Sequence, residues 1–380
     1  MLIRLTSIHL VLRRFTDLGT GGSVDVLKIA AAAGVVTATV TGDWTATSGS
    51  YNLGTAITDV ILNTAASNVD LTEVTTGNGW TINNTAAAAL SLKGSGGNDS
   101  ITGGTTSDTL VGNAGNDTLV TGVTTAGNTD SMTGGAGNDT FNVAGALGTV
   151  VITDWGNGVD VLSGALGAAT GAINVTISNS SATALSLATA AAAATNTATV
   201  TGGTAADTIT GGAGNDSISG GNGADSITAG DGDDTIVLTE TVSAVDKVVL
   251  GATFAANGTD TITGFKSGTD KIDINAFGTA TSFTTTGAAV SFTAAANAVL
   301  FFSGGSAGDA DSSAASITFM NANLTYTDTA ATFYAVVVDD DSTTIYEVLG
   351  DAGGDEFTGD TLSVVATIGT VMASSDFLFT

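Results

Sequence analysis

The chain has 380 residues, 36 of them acidic and 8 basic, giving a formal charge of −28, with one histidine and neither cysteine nor proline. Such a balance argues against a nucleic-acid partner, which needs Lys and Arg for its phosphates. The missing thiols exclude disulfides and thiolate metal sites.

Charged residues are nevertheless only 12% and mean hydropathy is +0.35, so this is no disordered acidic tail. The length suits two or three domains. Without proline, folding carries no slow X-Pro isomerisation.

Residues 1–20 are a basic segment in which Arg4, His9, Arg13 and Arg14 interrupt an apolar run. No small-x-small cleavage site follows promptly, and the readings are an amphipathic surface anchor or a frayed start. No run in the chain reaches the about 18 uninterrupted apolar residues of a membrane span. Residues 21–93 alternate short runs such as VDVLKIA, GVVTATVTG and AITDVILN with turn signals. Recurrence about every ten residues fits a β-sandwich or an irregular β-solenoid. Trp44 and Trp80 read as core or edge packing.

Residues 94–142 carry aspartates at Asp99, Asp108, Asp117, Asp130 and Asp139, spaced nine, nine, thirteen and nine. Each is followed two residues on by an apolar side chain: Ile101, Leu110, Leu119, Met132 and Phe141. Residues 143–200 hold a closing element, ITDWGNGVDVL, and an Ala/Thr-rich connector. Residues 201–237 contain four nonapeptides head to tail, GGTAADTIT, GGAGNDSIS, GGNGADSIT and AGDGDDTIV, with Asp207, Asp216, Asp225 and Asp234 at an unbroken period of nine. A second closing element, ITGFKSGTDKIDI, lies 110 residues after the first. Both are expected to cover the apolar end of a stack, as capping repeats do. Residues 278–380 read as a C-terminal β region with strands AVLFF, SITFM and TFYAVVV. Asp339–Asp341 and residues 350–360 read as solvated turns.

The fold class expected is all-β: calcium-binding parallel β-roll or β-solenoid blocks with flanking β-sandwich or irregular solenoid segments. In a GGxGxD turn, glycines adopt positive φ at no steric cost, so successive carbonyls can curl toward one point. Calcium takes six to eight hard oxygens from carboxylates and carbonyls. Two nonapeptides make one coil, which stacks Asp207 on Asp225, Asp216 on Asp234, Asp99 on Asp117, Asp108 on Asp130 and Asp117 on Asp139. The candidate ligands are these nine aspartates with the turns Gly211, Gly212, Ala213, Gly214 and Gly220, Gly221, Asn222, Gly223. Thr106 and Ala205 replace the fourth-position glycine, and residues 125–128 scarcely resemble the motif. Asp108, Asp130 and Asp207 are therefore expected to bind more weakly than Asp216 and Asp225. Burying one apolar side chain per repeat yields about 1.5–3 kcal/mol against the ordering entropy of nine residues, so the cation is expected to be obligatory. A metal-free solenoid whose aspartates cap turns is the alternative reading.

The nonapeptides resemble the repeats-in-toxin (hemolysin-type calcium-binding) family, and the two closing elements are similar to those that follow its β-rolls. Asp376–Thr380 is similar to the acidic-then-hydrophobic terminus of type I secretion substrates, which implies export with an uncleaved C-terminal signal. The Thr/Ala-rich flanks are similar in composition to bacterial surface-layer proteins. That resemblance implies several calcium ions, an extracellular or cell-surface location, self-association into a lattice or fibre, and an anionic surface glycan or lipid as a further partner. The alternatives are a calcium-stiffened adhesin or ligand-binding protein, and the carrier part of a secreted hydrolase. Catalytic residues are not expected: His9 is the lone histidine, and the GxSxG match at residues 304–308 reads as a flexible turn.

Overall fold

The computed structural model describes residues 2–5, 13–18, 26–29, 35–53, 60–122, 127–143, 148–164, 172–177, 184–187, 196–251 and 258–274. It further describes strands at 280–282, 290–293, 299–302, 324–327, 332–338, 343–349, 361–368 and 377–378. Every helix or strand among them is a β-strand, and none of the described residues forms a helix long and apolar enough to cross a membrane. Contacts divide the chain into two units, residues 1–179 with 189–199 and residues 180–188 with 200–380.

The first unit is a parallel β-solenoid. Its repeat strands are three residues long at their shortest, with the middle residue buried and its neighbours facing out. Such strands are too short to hold a sheet by themselves, so the fold depends on vertical stacking in register. On one face Leu92 sits beside Leu110, Leu110 beside Met132 and Met132 beside Ile152. On the other, Ile82, Ile101, Leu119 and Phe141 align in the same way. All eight side chains are fully buried.

This second face runs without interruption from Val36–Val40 through Val60–Thr64 and Thr81–Asn84 to Ser100–Thr102. The described residues between 36 and 93 are thus solenoid coils leading into the repeats, and the sandwich alternative falls away there. Trp44 and Trp80 are core residues, packed edge-to-face with ring centres 6.3 Å apart. The basic N-terminal segment contributes strands Leu2–Leu5 and Arg13–Leu18, parallel to Val26–Ile29 and Val36–Val40. The remainder of residues 1–20 lies outside the described residues.

In the second unit Leu185, Ile209, Ile227, Val248 and Ile272 make one apolar ladder. Ile218, Ile236 and Ile262 make the other. The closing elements cover the repeats before them, and further strands pair onto all of their strands except Val161–Ser163, which ends its sheet among the described residues. Thr149–Trp155 pairs with Thr129–Ala136 on one side and Ala172–Ile177 on the other. Asp260–Thr263 is followed by Thr361–Ile368, and Lys271–Asp273 by Phe377–Leu378. A parallel ladder continues wherever the next segment supplies a strand, so the same sequence element can serve as an inner coil.

The C-terminal region departs from the parallel rule. Thr332–Val338, Thr343–Leu349 and Thr361–Ile368 form an antiparallel meander, with Val299–Phe302 parallel to its first strand. Phe377 is buried against Ile272, so the end of the chain is built into the stack. SITFM, Asp339–Asp341, residues 350–360 and residues 304–308 lie outside the described residues.

Candidate metal-binding turns

The repeat aspartates are all within the protein, none more than 2% exposed. Their stacking follows the expected pairs through a hydrogen-bond ladder. In each pair, the backbone N–H of the earlier aspartate donates to Oδ1 of the later one. Asp99 donates to Asp117 at 2.6 Å and Asp117 to Asp139 at 2.8 Å. Asp108 donates to Asp130 at 2.9 Å, Asp207 to Asp225 at 2.8 Å and Asp216 to Asp234 at 2.7 Å.

Four further aspartates prolong the ladders beyond the repeats: Asp139 donates to Asp160, Asp225 to Asp246, Asp246 to Asp270 and Asp234 to Asp260. Sequence reading missed these four because their spacings are irregular. The signal that would have found them is an aspartate followed two residues on by an apolar residue, here Leu162, Val248, Ile272 and Ile262. A parallel ladder runs along the outer edge, where Asn98, Asn116 and Asn138 each accept an N–H from the next coil.

Oδ2 divides the turns into two kinds. In the closed kind, the N–H four residues earlier donates to Oδ2: Ser95 to Asp99 at 2.6 Å, Gly104 to Asp108 at 2.7 Å, Gly203 to Asp207 at 3.1 Å and Gly212 to Asp216 at 2.7 Å. Asp160 and Asp270 are closed in the same way by Gly156 and Lys266. In the open kind, the second and fourth turn residues have positive φ, which turns that N–H away. Gly221 and Gly223 do this before Asp225, at 93° and 119°, and Gly230 and Gly232 before Asp234. Asn113 and Gly115 do it before Asp117; asparagine tolerates the left-handed region, and Asn113 Nδ2 also bonds Gly94 O at 2.6 Å.

Oδ2 of Asp117, Asp225 and Asp234, together with that of Asp130, is buried without a hydrogen-bond partner. Asp99, Asp108, Asp207 and Asp216, at the head of each ladder, are closed and open turns follow them, while Asp160 and Asp270 beyond the repeats are closed again. Thr106 and Ala205 at the fourth position suit closure, since positive φ is costly for residues with a Cβ. Nothing in the sequence explains why Gly211–Asp216 is closed while Gly220–Asp225 is open. Asp130, in a degenerate repeat, has an Oδ2 without a hydrogen-bond partner, whereas the Oδ2 of Asp216, in a full consensus turn, accepts from Gly212 N.

The remaining candidate residues hold the coils together. Gly211 N bonds Thr228 O, Gly220 N bonds Val237 O and Asn222 N bonds Gly203 O. Carbonyl oxygens of Gly203 and Ala205 face Gly221 and Gly223 of the coil above, so closely that a Cβ at either glycine would strike them. Gly212 and Gly214 carbonyls stand likewise against Gly230 and Gly232. Ala213 is half-buried beside them.

Burial pushes these carboxyls far above their ordinary 3.8, with neighbouring aspartates adding to it. Asp117 is raised to about 8, and Asp99, Asp130, Asp225 and Asp234 to about 7. Asp260 is raised to about 8 and Asp139 and Asp246 to about 6. A buried anionic oxygen with no donor is costly unless a proton or cation neutralises it. The donor set here is carboxylate and carbonyl oxygen throughout, the chemistry that calcium takes. Among the described residues no three His, Cys, Asp or Glu side chains group as a metal cluster, so one or two carboxylates per ion would act with backbone carbonyls. The residues fit the cation that the repeats imply.

A family model for the RTX calcium-binding nonapeptide repeat matches in four copies, over residues 91–123, 124–145 and 201–236. The chain therefore carries RTX calcium-binding repeats, and the matched residues include the nine stacked aspartates. No curated protein matches the chain.

Proposed function

We propose that this is a secreted, calcium-dependent structural protein of the bacterial cell surface, in which calcium first drives folding and then bridges neighbouring molecules into a layer or fibre. The observation that carries the calcium role is the set of buried, partnerless Oδ2 atoms on Asp117, Asp130, Asp225 and Asp234. Each belongs to a stack whose apolar content is one side chain per strand, so the fold has little to offset stacked like charges until a cation binds. RTX repeats are typical of secreted proteins, which supports export. The type I route rests on the resemblance of Asp376–Thr380 to such signals. The surface-layer role rests on the Thr/Ala-rich composition and on a charge of −28 with no Lys or Arg from residue 94 to residue 246.

Within each repeat block the mechanism follows from the turns. Aspartate Oδ1 ties one coil to the next by accepting the N–H of the aspartate before it in the ladder, while in the open turns Oδ2, together with turn carbonyls, would hold the ion. Calcium, when bound, would supply the positive charge that offsets the repulsion of successive carboxylates in a ladder. Far-UV circular dichroism in excess chelator, followed by calcium titration, tests this reading. The expected result is loss of most β signal from the repeats and its return with calcium. An unchanged β signal in chelator would sink it.

A further inference from the structure

We propose that Glu240, a residue outside the nonapeptide repeats, supplies a carboxylate oxygen to a calcium site on the turn Gly220–Asp225. This rests on the calcium reading of that turn and extends it to a ligand that the repeat motif does not contain.

The segment stacked on Gly220–Asp225 is not a nonapeptide. Residues 239–246, TETVSAVD, replace it with a longer loop that ends in Asp246. Several bonds fix this loop to the turn below. Asn222 Oδ1 accepts from Thr241 N at 2.9 Å, from Thr241 Oγ1 at 2.7 Å and from Val242 N at 3.3 Å. Asp246 Oδ1 accepts from Asp225 N at 2.9 Å, and Lys247 N donates to Asp225 O at 2.7 Å. Glu240 is thus held one residue from the loop's anchor on the turn.

Its Oε2 accepts the N–H of Ala244 at 2.7 Å, which folds the side chain back within the loop. Oε1 is buried and has no hydrogen-bond partner. Asp225 is 1% exposed, its Oδ1 bonds Asp207 N, and its Oδ2 is likewise buried without a partner. Two carboxylate oxygens, each shielded from water and each with its sister oxygen already engaged, therefore belong to one turn and to the loop stacked on it. One divalent cation neutralises both carboxylates at once, whereas a single proton leaves one negative charge in place. The loop lacks the glycine turn that would aim carbonyls at the ion, and a long carboxylate side chain makes up the missing donor. Hard oxygen ligands on an irregular loop favour calcium over magnesium, which demands a near-ideal octahedron.

The experiment counts calcium ions per chain by equilibrium dialysis and calorimetry for the wild type, Glu240→Gln and Glu73→Gln, the last an exposed acid in the other unit. Glu240→Gln should lose one ion, or weaken one site by about tenfold or more, since even outer partners of a metal ligand are worth about 10–100-fold. Glu73→Gln should match the wild type. Equal stoichiometry and affinity in Glu240→Gln would overturn the inference while leaving wild-type calcium binding, and hence the broader reading, intact. A second measurement guards against misfolding of the variant. In the wild type, calcium should protect Glu240, and not Glu73, from carbodiimide-driven amidation read by mass spectrometry. Equal labelling of Glu240 with and without calcium also overturns it.

Discussion

A carboxylate at 1% exposure has to be stabilised by a donor, a proton or a cation, and the repeat aspartates sort by which of these the chain itself provides. Asp99, Asp108, Asp207 and Asp216 receive an N–H on Oδ2 from their own turn. Asp117, Asp130, Asp225 and Asp234 receive none. Asparagine at an open position removes a charge that only the cation compensates. Asp225→Asn and Asp234→Asn should therefore weaken calcium binding by about tenfold or more, and Asp99→Asn by less; calorimetric titration of the three variants checks the order. Protons compete for the same oxygens. Because the folded-state values of Asp117, Asp225 and Asp234 lie at about 7–8, above the ordinary 3.8, the calcium-free fold binds protons more tightly than the unfolded chain. That contribution is fully present below about pH 4 and is lost as pH rises through about 6–8. Without calcium, the β signal should thus be stronger at about pH 5 than at about pH 8. Calcium affinity should fall over the same range on acidification, because binding displaces protons. A calcium-free spectrum unchanged between these pH values would contradict the burial argument.

At the scale of the turn, the backbone decides whether Oδ2 is capped, and the test is steric. Gly223 and Gly268 both have positive φ, at 119° and 83°. A Cβ at Gly268 meets nothing within 4 Å, while one at Gly223 runs into the backbone of Ala205 in the coil below. Gly268→Ala should cost only the conformational strain, about 1–2 kcal/mol. Gly223→Ala should cost more and also raise the calcium midpoint, because it forces two coils apart at the ion. Denaturant unfolding with saturating calcium, alongside calcium titration, separates the two. The period of nine made this stacking legible in advance, since it fixes both which aspartates pair and which apolar residue faces inward. It could not reveal the two turn states, because consensus glycines permit either φ, as the closed turn before Asp216 and the open turn before Asp225 show. Asp160, Asp246, Asp260 and Asp270 escaped for another reason. Their loops differ in length, and a parallel solenoid tolerates insertions in its turns so long as the next D-x-apolar strand regains register. By the same rule ITDWGNGVDVL caps on one face alone: Val161–Ser163 ends its sheet among the described residues, while Ala172–Ile177 pairs onto the far side of Thr149–Trp155.

Across the whole molecule, charge sets the terms of association. A chain at −28, with no Lys or Arg from residue 94 to residue 246, repels its own copies, and such self-repulsion keeps proteins soluble and separate. The ions held within the turns lower that charge, and exposed acids such as Asp231 and Asp233 beside the second block remain to face a neighbour. Two such surfaces can approach only when their charge is screened or when an ion ligates both. Sodium chloride at physiological strength screens beyond about 8–10 Å, but a monovalent ion does not cross-link carboxylates as calcium does. Calcium should therefore convert dilute, separate chains into ordered sheets or fibres, and sodium chloride at equal ionic strength should not. Light scattering followed by electron microscopy, with each salt added to the calcium-free chain, distinguishes these outcomes. Chains that fold on calcium yet stay monomeric at high concentration would remove the assembly role and favour a calcium-stiffened adhesin instead, because rigidity without self-association is what a ligand-presenting stalk requires.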